Sequence, residues 1–230
     1  MRTDLVGYTK YQVFLNYPFD AAFEPLARAM HFAVVSGGLL PVCAMDLSTP
    51  DKLRLEMLAD AIGKCDYSAH DFSRFTGEGE KNLARFNMPL ELGMALFRTL
   101  VTGGGHRFAF FVSTPYDYRA FASDLGGLDP KCHNNDEGLL IAGMYEWLRS
   151  VVPPMLFNSQ PTANVQEKYA QFKQRLRLLK GSRTDGKPSH DEAQELMYQV
   201  CSECGWWDWR ESKSGRAEFP ALPLSWKDDP

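Results

Sequence analysis

Short apolar runs alternate with stretches of helical spacing along the first two thirds of the chain. Strands are predicted at residues 11–15, 39–45, 67–71, 107–113 and 128–133, the first, second and fourth of which are apolar runs. Between them, apolar residues recur at steps of three and four, which predicts helices over residues 20–36, 51–63, 88–101, 116–125 and 136–151. Pro41 indicates that the second strand either begins there or lies at an edge of the sheet, because proline lacks the N–H of a central strand.

This regular alternation predicts an α/β fold, in which a parallel sheet is covered by helices on both faces. Five repeats fit a flavodoxin-like, doubly wound, five-stranded parallel sheet. A Pro-Pro pair at 153–154 ends the pattern, so we expect an α/β domain over residues 1–152. Residues 153–230 are predicted to form a C-terminal helical appendage and tail, with an amphipathic helix over 165–179 and a second helix that begins with a capping box at Ser189.

The composition is that of a globular protein, since 44% of the 230 residues are hydrophobic and 23% are charged. A net charge of −4 without a long basic run disfavours nucleic acid or an anionic membrane surface as the partner. No apolar run reaches the ~20 residues that a membrane crossing needs, and the N-terminus lacks the apolar core of a signal peptide. We therefore expect a cytoplasmic protein.

Several motifs that would define a chemistry are absent. The sequence contains no G-x-x-x-x-G-K-[ST], no G-x-G-x-x-G after the first strand and no G-x-S-x-G. The five cysteines are scattered, and Cys201-x-x-Cys204 has only His190 near it in sequence, so we expect a pair of thiols there without a metal. These absences disfavour P-loop, dehydrogenase and α/β-hydrolase chemistry, and no metal site is predicted.

Polar side chains follow the first and third predicted strands. In an open doubly wound sheet, ligands bind beyond the carboxyl ends of the strands, at the point where the strand order reverses. With the order 2-1-3-4-5, that crevice lies between the ends of strands one and three. The substrate-binding residues predicted there come from two strand ends and from the start of the third helix: Asn16, Tyr17, Pro18, Ser73, Asn87 and Met88.

Glu91 is the strongest candidate for a catalytic group. It lies between Leu90 and Leu92 in a helix that is apolar nearly all round, and a buried charge is costly unless it is paired or faces a cleft. One interpretation is an acid in the first turn that the helix dipole stabilises. The other is a carboxylate that steadies or attacks a positively charged sugar carbon. An ion pair with Arg98 would favour the structural interpretation.

The other polar residues near the crevice also have two interpretations. Asp71 either forms a turn with its own backbone or contacts ribose hydroxyls, as the second member of an acid pair. His70 is predicted to be a packed core histidine, because alternation places it on the opposite face of the strand from Asp71. Asn16 and Tyr17 either form a turn or hold a nucleotide. Residues 133–136 are predicted to form a loop and helix cap rather than a ligand contact.

Three segments, residues 13–20, 65–74 and 85–93, resemble bacterial proteins with a TIR-like fold that are related to nucleoside 2-deoxyribosyltransferases. The resemblance covers roughly residues 11–150, and the Glu-Leu-Gly step that begins at Glu91 is its most specific part. A longer Gly/Glu-rich loop before this helix departs from the transferases and suggests a lid. The C-terminal helices are not part of the minimal domain of either group.

The resemblance implies a hydrolase that cleaves the N-glycosidic bond of NAD and releases nicotinamide, in a bacterial defence or signalling setting. Glu91 would act at the anomeric carbon and Asp71 would hold the sugar, while the turn at 16–18 would line the pocket. NAD would be the substrate, and no cofactor is implied. Two alternatives stay open: a nucleoside deoxyribosyltransferase or hydrolase, and a non-catalytic nucleotide-binding or interaction module. Assembly as a homo-oligomer, or with an effector partner through the C-terminal helices, is also implied.

Overall fold

The computed structural model describes residues 12–47, 53–74, 87–115, 125, 127–181 and 188–206. Within these ranges the strands are β1 (Gln12–Asn16), β2 (Leu40–Cys43), β3 (Tyr67–Asp71), β4 (Arg107–Val112) and β5 (Lys131–Cys132). The helices are α1 (Glu24–Ser36), α2 (Arg54–Lys64), α3 (Asn87–Val101), α4 (Glu137–Val151), α5 (Thr162–Gly181) and α6 (His190–Glu203).

The five strands form one parallel sheet in the order β2-β1-β3-β4-β5. This confirms the predicted flavodoxin-like α/β fold with helices after the sheet domain. Pro41 lies in β2, at the edge of the sheet, as its missing N–H predicts. The chain moves from β1 to β2 on one side and returns to β3 on the other, so the strand order reverses between β1 and β3.

Several helix and strand ends follow from local side chains. The Asp136 side chain accepts a hydrogen bond of 2.7 Å from the Leu139 amide, which confirms the predicted cap of α4. Ser189 and Glu192 form the predicted capping box of α6. The fifth strand is shorter than its predicted range of 128–133, and after it Asn134 and Asn135 adopt φ angles of 51° and 57°, which a strand cannot accommodate.

Two predicted features fall outside the described residues. The predicted helix over 116–125 lies there almost entirely, and so does the Gly/Glu-rich loop before α3. Helix α3 begins at Asn87, one residue earlier than the predicted start at Met88. The position before Asn87, where a capping residue would stand, lies outside the described residues.

The sheet is covered by helices on both faces. On one face α1, α4, α5 and α6 share the main hydrophobic core with β1 and β3. On the other face α2 and α3 pack over Phe14, through residues such as Leu58, Ile62 and Ala95. The central strand β3 is therefore buried on both sides, and all five of its residues are buried.

The C-terminal helix α5 is part of the main core rather than a separate layer. The rings of Phe172 and Phe32 of α1 lie 5.6 Å apart, and the Tyr169 hydroxyl donates a hydrogen bond of 3.1 Å to the Pro25 carbonyl. Although α5 has 20 residues, it alternates buried and charged positions. Across the described ranges no helix combines the length and the apolar character that a bilayer crossing requires.

A close backbone approach joins the end of α1 to the segment after α4. The Phe157 ring lies so near Gly37 that a Cβ at this position would overlap it. The backbone N–H of Asn158 donates to the Gly37 carbonyl at 2.9 Å, and the Asn158 side-chain Nδ2 atom donates to the Ser36 carbonyl at 3.1 Å. The chain that leads into α5 is thereby fixed against the sheet domain.

We expect Phe172→Ala to lower the free energy of unfolding by ~3–5 kcal/mol, because the ring is fully buried and a cavity would remain. Urea denaturation followed by circular dichroism measures the change. Leu178→Ala is the matched control in the same helix, since this side chain is 69% exposed and its loss should cost less than ~0.5 kcal/mol. Equal stability of Phe172→Ala and the wild type would contradict a shared core.

Candidate active site

Asn16 connects the ends of β1 and β3 to the start of α3. Its side chain is 2% exposed, and its Nδ2 atom donates to the Met88 carbonyl and to His70 Nδ1, each at 3.1 Å. Asn16 lies opposite His70 in the parallel register, so the bond across β1 and β3 is short and direct. Two of the predicted substrate-binding residues, Asn16 and Met88, are thus in contact at the point where the strand order reverses.

Glu91 lies on the inner face of α3, one turn after Met88 and one turn before Ala95. The residue is 5% exposed, and in the described part of the chain its carboxylate has no hydrogen-bond partner. Burial raises the pKa of the Glu91 carboxyl to about 7, and the positive charge of Arg54 at the start of α2 lowers it only in part. The Glu91 carboxyl therefore titrates near neutral pH.

Arg98 does not neutralise Glu91. Its guanidinium pairs with the Asp66 carboxylate at 3.6 Å and donates to the backbone carbonyls of Ile62, at 2.7 Å, and of Cys65. The Glu91–Arg98 ion pair that would have favoured the structural interpretation is therefore not formed among the described residues.

A buried chain of polar side chains runs beneath α3. His70 Nε2 lies 2.9 Å from Ser68 Oγ, which lies 2.9 Å from His106 Nε2, and His106 Nδ1 lies 2.8 Å from Arg98. Burial lowers the pKa of His70 to about 3 and that of His106 to about 4, so both rings are neutral at pH 7. His70 is the packed histidine that the sequence predicts, and its Nδ1 atom accepts a hydrogen bond from Asn16.

Asp71 ends β3 in a second polar cluster. Its Oδ1 atom accepts from the Ser73 amide at 2.8 Å, and its Oδ2 atom lies 3.0 Å from His133 Nε2. The Ser73 hydroxyl lies 2.9 Å from the same His133 nitrogen. The Asn135 amide donates to His133 Nδ1 at 3.1 Å, which leaves the ring proton on Nε2. Because Asp71 and Ser73 share one nitrogen, the cluster cannot act as a Ser-His-Asp triad, which needs both.

The two predicted acids approach the end of β3 from different faces of the sheet. Tyr67 and Ala69 belong to the main core beneath α1 and α4, and alternation places Asp71 on their side. Ala95 of α3 packs on the opposite face with Phe14, and Glu91 lies one turn before it. Among the described residues the structure gives no contact between the two carboxylates.

Tyr17 and Pro18 face a separate cavity of about 310 Å³. The cavity lies between the turn after β1, the first half of α1, Met45 after β2 and the start of α6, and Tyr17 is itself only 2% exposed. The Tyr17 hydroxyl lies 2.9 Å from His31 Nε2. Of the predicted site residues, Tyr17 and Pro18 therefore lie on the α1 side, away from Asn16, while Asn87 is exposed on the first turn of α3.

His31, Cys43 and His190 meet in this cavity region, and the sequence did not point to them as a group. They come from α1, β2 and α6, so no local spacing connects them. The available signals were weak: a histidine on the buried face of an amphipathic helix, and another directly after a capping serine. Neither Cys201 nor Cys204 belongs to this group, and both are free thiols.

Comparison of the chain with models of known protein families finds no match, and comparison with curated proteins finds no relative. Neither comparison bears on the resemblance noted from the sequence. The geometry of the candidate residues is therefore the basis for a functional proposal.

We expect the wild type to lose stability relative to Glu91→Gln as pH rises from about 4.5 to about 7, because ionised Glu91 is disfavoured in the folded chain and not in the unfolded one. The buried histidines titrate alike in both proteins and cancel in this difference. Above this window the difference is constant, so Glu91→Gln gains on the wild type by up to ~3 kcal/mol at pH 8. Urea denaturation at pH 4.5 and pH 8 measures the difference. Glu146→Gln, on the exposed side of α4, is the control, and an equal gain there would refute the assignment.

Proposed function

We propose that the protein hydrolyses the bond between nicotinamide and ribose in NAD, with Glu91 as the catalytic carboxylate. The observation that carries the proposal is the placement of this carboxyl, which is buried beside the Asn16–Met88 contact and has no hydrogen-bond partner among the described residues. A buried acid without a partner costs folding free energy. Groups held at such a cost, with a pKa moved toward 7, are typical of catalytic sites.

The chemistry of NAD suits a site with one such acid. The nicotinamide ring is cationic while it is attached to ribose, and it leaves as a neutral molecule when the bond between ring nitrogen and C1′ breaks. The bonding electron pair goes to the ring nitrogen, and the positive charge passes to C1′ and the ribose ring oxygen. Water then bonds to C1′ and loses a proton, which gives ADP-ribose.

Glu91 would contribute its negative charge where that positive charge develops. A neutral leaving group needs no general acid, in contrast to the alkoxide released from an O-glycoside, for which a second carboxyl is required. The carboxylate would either stabilise the oxocarbenium centre electrostatically or bond to C1′ until water replaces it. Because no second carboxyl is needed at C1′, this mechanism does not require Glu91 to contact Asp71, and among the described residues the two carboxyls are not in contact.

The other residues would bind and orient the nucleotide. The Asn16 amide nitrogen is committed to Met88 and His70, which leaves its oxygen to accept from a ribose hydroxyl. Asp71 is fully buried and both of its oxygens have partners, so it would act on the ribose indirectly, by orienting Ser73 and His133. Of the residues predicted from the sequence, Ser73, Asn87 and Met88 are proposed to line the rest of the path. Tyr17 and Pro18 face the separate cavity on the α1 side and are not proposed to contact the substrate at Glu91.

We also propose the setting that the resemblance implies, a cytoplasmic protein in bacterial defence or signalling. The proposed partners are a nucleotide and either further copies or an effector that binds through α5 and α6. The outer surface of these helices carries both charged and apolar side chains: Arg175 donates to both Glu203 oxygens at 2.7 and 2.6 Å, and Leu178 is 69% exposed.

Incubation of the purified protein with NAD tests the proposal, with nicotinamide and ADP-ribose measured by chromatography. We expect Glu91→Gln to lower kcat/KM by about 100-fold or more, since the variant keeps the shape and loses the charge. For the wild type, kcat/KM should rise with pH through about 7, as the free-enzyme carboxyl ionises. Glu146→Gln should match the wild type.

Other outcomes select the alternatives. No nicotinamide release in any assembly state, or a fully active Glu91→Gln variant, would overturn the proposal. Base exchange between deoxynucleosides with NAD intact would identify a deoxyribosyltransferase, and release of free sugar from nucleosides would identify a nucleoside hydrolase. Calorimetric binding of NAD without any product would identify a nucleotide-binding module.

A further inference from the structure

Three side chains with metal-binding atoms converge where α1, β2 and α6 meet. His31, Cys43 and His190 each offer one nitrogen or sulfur atom that lies within 4.8 Å of the other two. His31 is 2% exposed and Cys43 is fully buried, while His190 is half-buried at the edge of the cavity. Within the described ranges this is the one such group of three. None of its members is assigned to NAD cleavage, and His31 contacts the Tyr17 hydroxyl.

The separations match those between ligands of a tetrahedral metal ion. Cys43 Sγ lies 3.8 Å from His190 Nε2, and Asp46 Oδ1 lies 3.3 Å from the same nitrogen. With metal–ligand bonds of ~2.0–2.3 Å, neighbouring ligand atoms of a tetrahedron lie ~3.3–3.6 Å apart. Movements of a few tenths of an ångström would therefore bring Cys43 and Asp46 to ligand spacing from His190. The His31 nitrogen, which lies within 4.8 Å of the Cys43 and His190 atoms, would move by up to about 1.5 Å.

The space between the two histidines already holds a positively polarised group. Gln194 Nε2 lies 3.3 Å from His31 Nδ1 and 3.1 Å from His190 Nε2, so one amide nitrogen faces a ring nitrogen of each. A cation at this place would satisfy the same two nitrogens after the flexible glutamine side chain turns away. His31 Nε2 would keep its contact with the Tyr17 hydroxyl, which fixes the ring as outer partners of metal-bound histidines do.

The surroundings also hold the anionic ligands in place. The Cys43 amide donates to Asp46 Oδ2 at 2.7 Å, which leaves Oδ1 directed toward His190. A thiolate and a carboxylate carry two negative charges, and two neutral imidazoles add none, so a divalent cation would be neutralised. Sulfur and imidazole ligands favour ions of the zinc type over magnesium and calcium, which prefer oxygen.

We propose that His31, Cys43 and His190 bind one divalent transition-metal ion of the zinc class, with Asp46 as the nearest candidate for the fourth ligand. The ion would join α6, near the C-terminal end of the described chain, to the sheet and to α1. Its role is to fix this junction, and no step of NAD cleavage passes through it. The two proposals therefore stand or fall separately.

Titration of the chelator-treated full chain with Co²⁺ and Zn²⁺ tests the site. We expect one ion per chain, tetrahedral cobalt absorption with a thiolate charge-transfer band, and a higher melting temperature with Zn²⁺. Cys43→Ser should abolish the charge-transfer band, and His190→Asn should weaken binding by about 100-fold or more. Cys204→Ser, at a partly exposed cysteine outside the cluster, should bind as the wild type does.

The proposal fails if the wild type binds no stoichiometric ion. It also fails if both Cys43→Ser and His190→Asn retain wild-type affinity, or if Cys204→Ser abolishes binding, which would move the site to the Cys201-x-x-Cys204 pair. Because Cys43 is fully buried, its variant could fold poorly. His190→Asn changes a half-buried side chain at the start of α6, so its metal affinity relative to the wild type tests the site without the Cys43 variant. Circular dichroism verifies that the His190 variant is folded.

Discussion

The central strand carries polar side chains that are completely withdrawn from water, and their need for partners shapes the site. Ser68, His70 and Asp71 of β3 are each 0% exposed. An unsatisfied buried polar group costs about 1–3 kcal/mol, so each requires a partner from a neighbouring element. Those partners come from the end of β1, from the residue before β4 and from the loop after β5.

These requirements fix α3 at both ends. At its start, Asn16 donates to the Met88 carbonyl, and at its end Arg98 contacts His106 and donates to carbonyls in the last turn and at the end of α2. Glu91 lies between the two attachments, on the same inner face. The helix cannot rotate to expose this carboxyl without breaking polar contacts on both sides. The Glu91 side chain is thus held in a fixed direction by hydrogen bonds that other residues of α3 make.

Local patterns were sufficient to predict the fold. Pro41 indicated an edge strand, Asp136 and Ser189 indicated helix starts, and the alternation of periods indicated the sheet, because each signal lies within a few residues. The site was harder, since consecutive residues Asn16 and Tyr17 point to opposite faces of the sheet and end in different environments. The sequence shows where a strand ends, but it does not show which residues of other elements pack against each face of the sheet there.

Contacts between distant segments were invisible for the same reason. The Asp71–His133 pair depends on the register of β4 with β5, and the His31–Cys43–His190 group depends on how α6 packs. Periodicity identifies which face of an element is buried, whereas the partner of a buried polar atom follows only from the packed structure.

The contact of Gly37 with Phe157 restricts how this sequence could diverge. A methyl group at position 37 would displace the ring, and with it the Asn158 bonds to the end of α1. A homologue with alanine at position 37 would need a smaller residue than phenylalanine at position 157, so substitutions at these two positions should occur together.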